Sequence, residues 1–130
     1  MAELTIRDET LGGNISHTQC ISFSALKVTV RDIITERVRA EVDAYNNKAG
    51  EYFTGLVKPT DAEQVLNGYK MQKRRFVDPD KQVAVALDAF SRNRFFILVD
   101  DQQAEDLDQI VELDKAIKVS FVKLTPLVGG

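Results

Sequence analysis

Along the first 46 residues the apolar positions change their spacing once, and that change separates strands from a helix. In "ELTIRDE", Leu4 and Ile6 alternate with Thr5 and Arg7, the two-residue period of a strand with one buried face. "LGGNISHTQ" follows, and Gly12, Gly13 and Asn14 supply the chemistry of a turn, here read as a long loop. "ISFSALKV" alternates again, Ile21 and Phe23 against Ser22 and Ser24, so the two runs predict a hairpin. Beyond it Val30, Ile33, Ile34, Val38, Val42 and Tyr45 stand three or four apart, the spacing of one helix face. Thr29 and Asp32 form a capping pair at its start, and Asn46 and Asn47 are stop signals.

The middle of the chain, residues 48–94, reads as helical. In "PTDAEQVLNG" Thr60 is the expected N-cap, Glu63 its partner and Gly68 the residue past the last turn, which predicts a short helix. In "VDPDKQVAVALDAFSRN" Asp78 caps and Pro79 takes the first helical position, where its missing N–H costs nothing. Val83, Leu87 and Phe90 make an apolar stripe, and Asn93 ends the helix. Strands return with "RFFILVDD" and "KVSFVKL", separated by a polar stretch anchored at Leu107, Ile110, Leu113 and Ile117. These elements predict an α+β fold in a single domain over residues 1–130, with 48–94 as a helical insertion.

Composition narrows the functional classes. The 130 residues suit one domain, and 44% hydrophobic content is enough for a core. A net charge of -3, from 17 basic and 20 acidic side chains, argues against general attraction to nucleic acid or an anionic membrane. "FFILV" is the longest apolar run, far short of a membrane span, and "MAELTIRDET" lacks the pattern of a secretion signal. A cytoplasmic protein is expected. Cys20 is the sole cysteine and His17 the sole histidine, which leaves no intramolecular disulfide and no zinc-type spacing.

Three clusters of chemistry-bearing residues have cheaper readings. Lys70, Lys73, Arg74 and Arg75 in "KMQKRR" lack interleaved aromatics and read as solvated surface, with a docking site for an acidic partner surface ranked ahead of a nucleic-acid site. Asp100, Asp101, Glu105, Asp106 and Asp108 do not match the spacing of a calcium loop and read as turns, so no metal site is expected. His17 and Cys20 have no third group to orient them as a nucleophile and base. No catalytic residue stands out, and the chain is not expected to be an enzyme.

The ending "FVKLTPLVGG" has a specific physical character. Pro126 fixes its own φ and lacks an N–H, so it ends strand pairing near Thr125. Gly129 and Gly130 have no Cβ, which lets a partner's surface approach the backbone closely. Phe96, Leu98, Val122 and Leu124 add apolar character to the second face of the final strands, either a surface for partners or a face covered by the inserted helices. Cover is the preferred reading, because Val83, Leu87 and Phe90 need an apolar surface to pack against.

The order of hairpin, helix and further strands, with "LVDDQQAEDLDQIVEL" and "VSFVKLTPLVGG", resembles the β-grasp fold of ubiquitin-like proteins. It is most similar to the prokaryotic sulfur carriers, the small subunit of molybdopterin synthase and the thiamine sulfur carrier. The matching features are Phe96 to Val99, Asp100 and Asp101, Asp106 and Leu107, Val119 and Phe121, then Pro126, Gly129 and Gly130. The resemblance covers residues 1–46 and 95–130 and leaves out the middle. It implies a β-grasp mixed sheet with a main helix and an inserted helical segment. It also implies that Gly130 is adenylated by a partner activating enzyme of the ubiquitin-activating type, which uses ATP and Mg²⁺ while this chain holds no cofactor. Thiocarboxylation, or conjugation to a protein substrate, would follow, with Pro126, Leu127 and Val128 gripped by the partner. The alternative is a non-covalent subunit that binds a partner enzyme through its sheet.

Overall fold

A computed structural model describes residues 2–47, 52–53, 55–57, 62–65, 68–71, 76–114 and 117–124. Pro126, Leu127, Val128, Gly129 and Gly130 lie outside these residues, as do Thr60, Lys73, Arg74 and Arg75. The chain divides into two compact units, one built from Met1–Ile33 and Ala89–Pro126, the other on Ile34–Asp88. The fold class is α+β.

The first unit carries a five-stranded mixed sheet in the order β2-β1-β10-β7-β8. Its strands are β1 (Ala2–Glu9), β2 (Ile15–Phe23), β7 (Phe95–Val99), β8 (Gln102–Gln103) and β10 (Val119–Lys123). β1 runs antiparallel to β2 and parallel to β10, with Ile6 opposite Val119. β10 is antiparallel to β7, and β7 to β8. One face of this sheet is the core: Leu4, Ile6, Ile21, Ile97, Val119 and Phe121 are all buried. Phe95 stacks on Phe121 with centroids 5.8 Å apart and meets Phe90 at 5.9 Å, the offset and tilted arrangements aromatic pairs prefer.

The hairpin is tighter than the sequence suggests. Thr10 N–H donates to the Asn14 carbonyl and Gly13 N–H to the Thr10 carbonyl, closing the turn between Glu9 and Ile15. Gly13, at φ 86°, occupies backbone space that side chains avoid. β2 therefore starts at Ile15, and His17 and Cys20 belong to the strand rather than to a loop. Its first residues are exposed, which removes the apolar alternation that would announce a strand.

A short pair, β3 (Lys27–Thr29) and β9 (Ile110–Glu112), adds a two-stranded sheet in the same unit. Helix α1 (Val30–Asn46) begins directly after it. The expected cap is present in reciprocal form: Asp32 N–H donates to Thr29 Oγ1 at 3.1 Å, and Thr29 N–H to Asp32 Oδ2 at 3.0 Å. Two further orphan donors of the first turn, on Val30 and Arg31, reach the carbonyls of Gln109 and Leu107. All six apolar positions predicted for this helix are buried, and so is Arg37, which the periodicity passes over.

In the second unit the predicted helix at Thr60–Gly68 is not found. β4 (Tyr52–Phe53), β5 (Ala62–Val65) and β6 (Gly68–Met71) form a three-stranded antiparallel sheet, order β4-β6-β5. Val65 pairs with Gly68, so two residues join β5 to β6, and Glu63 stands opposite Lys70. A capping pair contributes only about 1 kcal/mol, too little to hold a helix against the pairing of β5 with β6. The middle is thus mixed, not wholly helical. Helix α2 (Pro79–Ser91) starts as expected, with Asp78 Oδ1 accepting from the N–H groups of Asp80 and Lys81. Its buried residues are Gln82, Ala86 and Phe90, while Val83 and Leu87 are half-buried, so the covered face is rotated from the predicted stripe. Asn93 follows in the left-handed region at φ 59°, where asparagine is among the better tolerated residues.

Candidate functional site

Two features of the first unit bear on the expected chemistry: the end of β10 and the sheet face beside it. β10 is the strand that leads towards Pro126. Its first three residues are locked, Val119, Ser120 and Phe121 being fully buried between β1 and β7. Its last residue is fixed as well. Lys123 Nζ lies 3.6 Å from Asp8 Oδ2, and the Asp8 side chain is only 4% exposed. A carboxylate so enclosed needs a cationic or hydrogen-bonding partner. The pair ties the exit of β10 to β1, and nothing in the spacing of Asp8 and Lys123 along the chain announces it. Thr125 and the residues after it lie outside the described residues.

Phe96, Leu98, Val122 and Leu124 are brought together on the sheet face opposite the core. Phe96 stands directly across from Val122, and Leu98 across from Ser120. Leu124 follows directly after the last residue of β10. All four are half-buried. Arg7 and Glu9 border the patch from the β1 side, opposite Ser120 and Val122, and Gln103 borders it from β8, opposite Leu98. The result is a small apolar strip with a polar rim. Ser120, at its centre, has a buried hydroxyl with no hydrogen-bond partner.

Beside Phe96 a recess of about 370 Å³ opens between the end of α2, β7 and the segment at Ala104–Leu107. Phe90, Phe95 and Ala104 form its apolar wall, with Arg31, Gln103, Glu105 and Asp106 at its edge. Arg31 is held by Asp108 at 3.5 Å, an exposed pair that contributes little to stability. Leu107, expected as an anchor of the polar stretch, is half-buried, and its carbonyl caps α1.

The acidic residues do turn work, as expected. Asp100 and Asp101 have φ of 50° and 68° and form the two-residue connection between Val99 and Gln102. Both central residues of such a hairpin turn need positive φ, a role that usually falls to Asn and Gly. Lys118 compensates. Its N–H donates to Asp100 Oδ1 at 2.9 Å, its Nζ contacts Asp101 Oδ1 at 3.0 Å, and its carbonyl accepts from Asp100 N–H at 2.8 Å. Asp106 Oδ1 likewise accepts from Asp108 N–H. Among the described residues no cluster of His, Cys, Asp and Glu is arranged to hold a metal ion. His17 and Cys20 are both exposed, on opposite faces of β2 by their positions three apart in the strand. They cannot act as a pair.

Comparison with protein-family models, with curated proteins and with solved structures finds no match for this chain. Among the described residues no helix is long and apolar enough to cross a membrane.

Proposed function

We propose that this chain is a ubiquitin-like β-grasp protein that acts through the carboxyl group of Gly130, as a sulfur carrier or as a protein modifier. The observation that carries the reading is the strand order β2-β1-β10-β7-β8 with β1 parallel to β10. A first hairpin followed by a helix, with the last strand inserted beside the first, is compatible with a β-grasp. In such a sheet the last strand is central and firmly held, which gives a rigid base at the point where the tail sequence begins. The Asp8–Lys123 pair strengthens that base at its final residue.

The chemistry follows from the tail sequence "TPLVGG". An activating enzyme would join the Gly130 carboxylate to AMP from ATP, releasing pyrophosphate, with Mg²⁺ supplied on the enzyme. Sulfide would then displace AMP to give a thiocarboxylate. A persulfide would displace it to give an acyl disulfide, from which a second thiol releases the thiocarboxylate by forming a disulfide with the other sulfur. A lysine amine would instead displace AMP to give an amide. Glycine at 129 and 130 leaves the carbonyl open to either nucleophile. Pro126 withholds an N–H from the sheet, and Leu127 and Val128 offer apolar side chains to the enzyme's channel.

A second reading is favoured by a separate observation, the half-buried strip of Phe96, Leu98, Val122 and Leu124. In that reading the protein is a non-covalent subunit whose sheet face docks on a partner enzyme. One experiment separates the two. Appending a few residues after Gly130 abolishes function in a carrier or modifier and leaves a docking subunit intact. Replacing Phe96 and Val122 with aspartate has the opposite bias, removing the docking function most severely.

A further inference from the structure

The two edges of the mixed sheet are not alike. On one side β8 is two residues long and is flanked by Asp100, Asp101, Glu105 and Asp106, a short and charged edge of the kind that resists pairing. On the other side β2 runs for nine residues, and its only partner among the described strands is β1. It contains no Lys, Arg, Asp, Glu or Pro. Ile15 to Thr18, Cys20 and Ser22 are exposed, and no described strand pairs with its outer edge. One irregularity, the register shift at Asp8/Glu9, sits at the Ile15 end and leaves His17–Phe23 regular. A long uncharged edge is an open row of backbone donors and acceptors.

We infer that β2 pairs antiparallel with β2 of a second copy, about a two-fold axis at Cys20, joining two five-stranded sheets into one. An isologous seam sets the strand against itself, so any charged residue on it would face a residue of the same segment. The absence of charge from Ile15 to Phe23 meets that condition. The register also aligns the flanking charges. With Cys20 opposite its counterpart, Thr18 faces Ser22 of the second copy. Because Arg7 pairs with Thr18 and Glu3 with Ser22 inside each protein, Arg7 and the second copy's Glu3 fall in one row. Three strand spacings separate their backbones, roughly 14 Å, and two long side chains reduce this to within the screening length. The same alignment recurs on the other side of the axis. A two-residue shift of the register opposes no such charges. A single strand seam is a small interface, so the dimer is roughly micromolar or weaker.

Sedimentation velocity over a concentration series, on the full chain, tests the inference. The expected result is a concentration-dependent monomer–dimer equilibrium. Cys20 reports the register, because directly opposed strand residues have Cα atoms about 4.5–5.5 Å apart, within disulfide range. Diamide, which takes up the two protons and two electrons of the two thiols, is expected to give a covalent dimer. Cys20→Ser should keep the reversible dimer and lose the covalent one. Cys20→Lys places like charges face to face and should weaken dimerisation at least ~10-fold, while the exposed position keeps the circular dichroism spectrum and melting temperature unchanged. A protein that stays monomeric throughout overturns the inference. So does a dimer that diamide does not cross-link, or one that Cys20→Lys leaves intact. None of these outcomes depends on the chemistry proposed for Gly130.

Discussion

At the centre of the first unit the buried residues are mostly apolar: Ile6, Ile97, Val119 and Phe121 are at most 1% exposed, and Ser120 and Asp8 are the polar exceptions among the described residues. The second unit buries Val38 and Val42 but also Arg37 and Gln82, at 1% and 4% exposure. Its irregular segments are held by side chains that grip backbone. Glu41 accepts from Arg37 through one oxygen and from Leu56 N–H through the other, at 2.9 Å. Asn46 exchanges two hydrogen bonds with Val77, donating to its carbonyl at 3.0 Å and accepting from its N–H at 2.9 Å. Gln82 Nε2 donates to the Val57 carbonyl at 2.7 Å. The first unit is a strand ladder over a mainly apolar core; in the second, connecting segments at Leu56, Val57 and Val77 are clasped by polar side chains from two helices. The difference teaches that two kinds of stability coexist in one short chain. One is broad and cooperative, the other local and dependent on a few polar groups.

The largest test of that contrast is Phe121→Ala. It removes a stacked aromatic from a site with no exposure and is expected to cost about 3–5 kcal/mol, read by urea unfolding. Glu41→Ala comes next, at about 3 kcal/mol, because it leaves the Arg37 charge buried without its carboxylate and Leu56 N–H without its acceptor. The double substitution Arg37→Met with Glu41→Leu should recover the part of that loss that comes from the uncompensated Arg37 charge, while Leu56 N–H stays without its acceptor. If the double variant is as unstable as Glu41→Ala, the pair is not the clasp described here. Asn46→Ala is expected to cost about 2 kcal/mol. Hydrogen exchange sharpens the reading: amides near Leu56 and Val77 should lose protection while those of Val119–Phe121 keep theirs. Equal loss in both places would make the two units one cooperative body and dissolve the comparison. The smallest effect belongs to Thr29→Ala, about 1 kcal/mol from the cap of α1.

The same contrast explains what was legible in the sequence. α1 was readable because its buried face recurs at helical spacing and its cap is local, Thr29 and Asp32 being three residues apart. β1, β7 and β10 were readable because one face of each is core. β2 was read to begin too late, since Ile15–Cys20 lie on a sheet edge where neither face is strongly buried. The helix expected at Thr60–Gly68 failed because a capping pattern was the only local signal, and strand pairing overrode it. Asp8 with Lys123, Arg37 with Glu41 and Asn46 with Val77 were not legible as partners; the first and last are long-range contacts with no periodicity. Alternation puts Phe96, Leu98 and Val122 on one face, but with apolar residues on both faces of these strands it does not say whether that face is covered. Its border by Arg7, Glu9 and Gln103 required the strand order.

The most direct test of the central claim is intact-protein mass spectrometry on material isolated from cells that make the protein naturally. The account predicts a chain ending at Gly130 in which part of the population has exchanged one carboxyl oxygen for sulfur, or is joined through Gly130 to lysines of other proteins. A population bearing only an unmodified carboxylate, with no adducts on cellular proteins, or a chain continuing past Gly130 in every molecule, would contradict it.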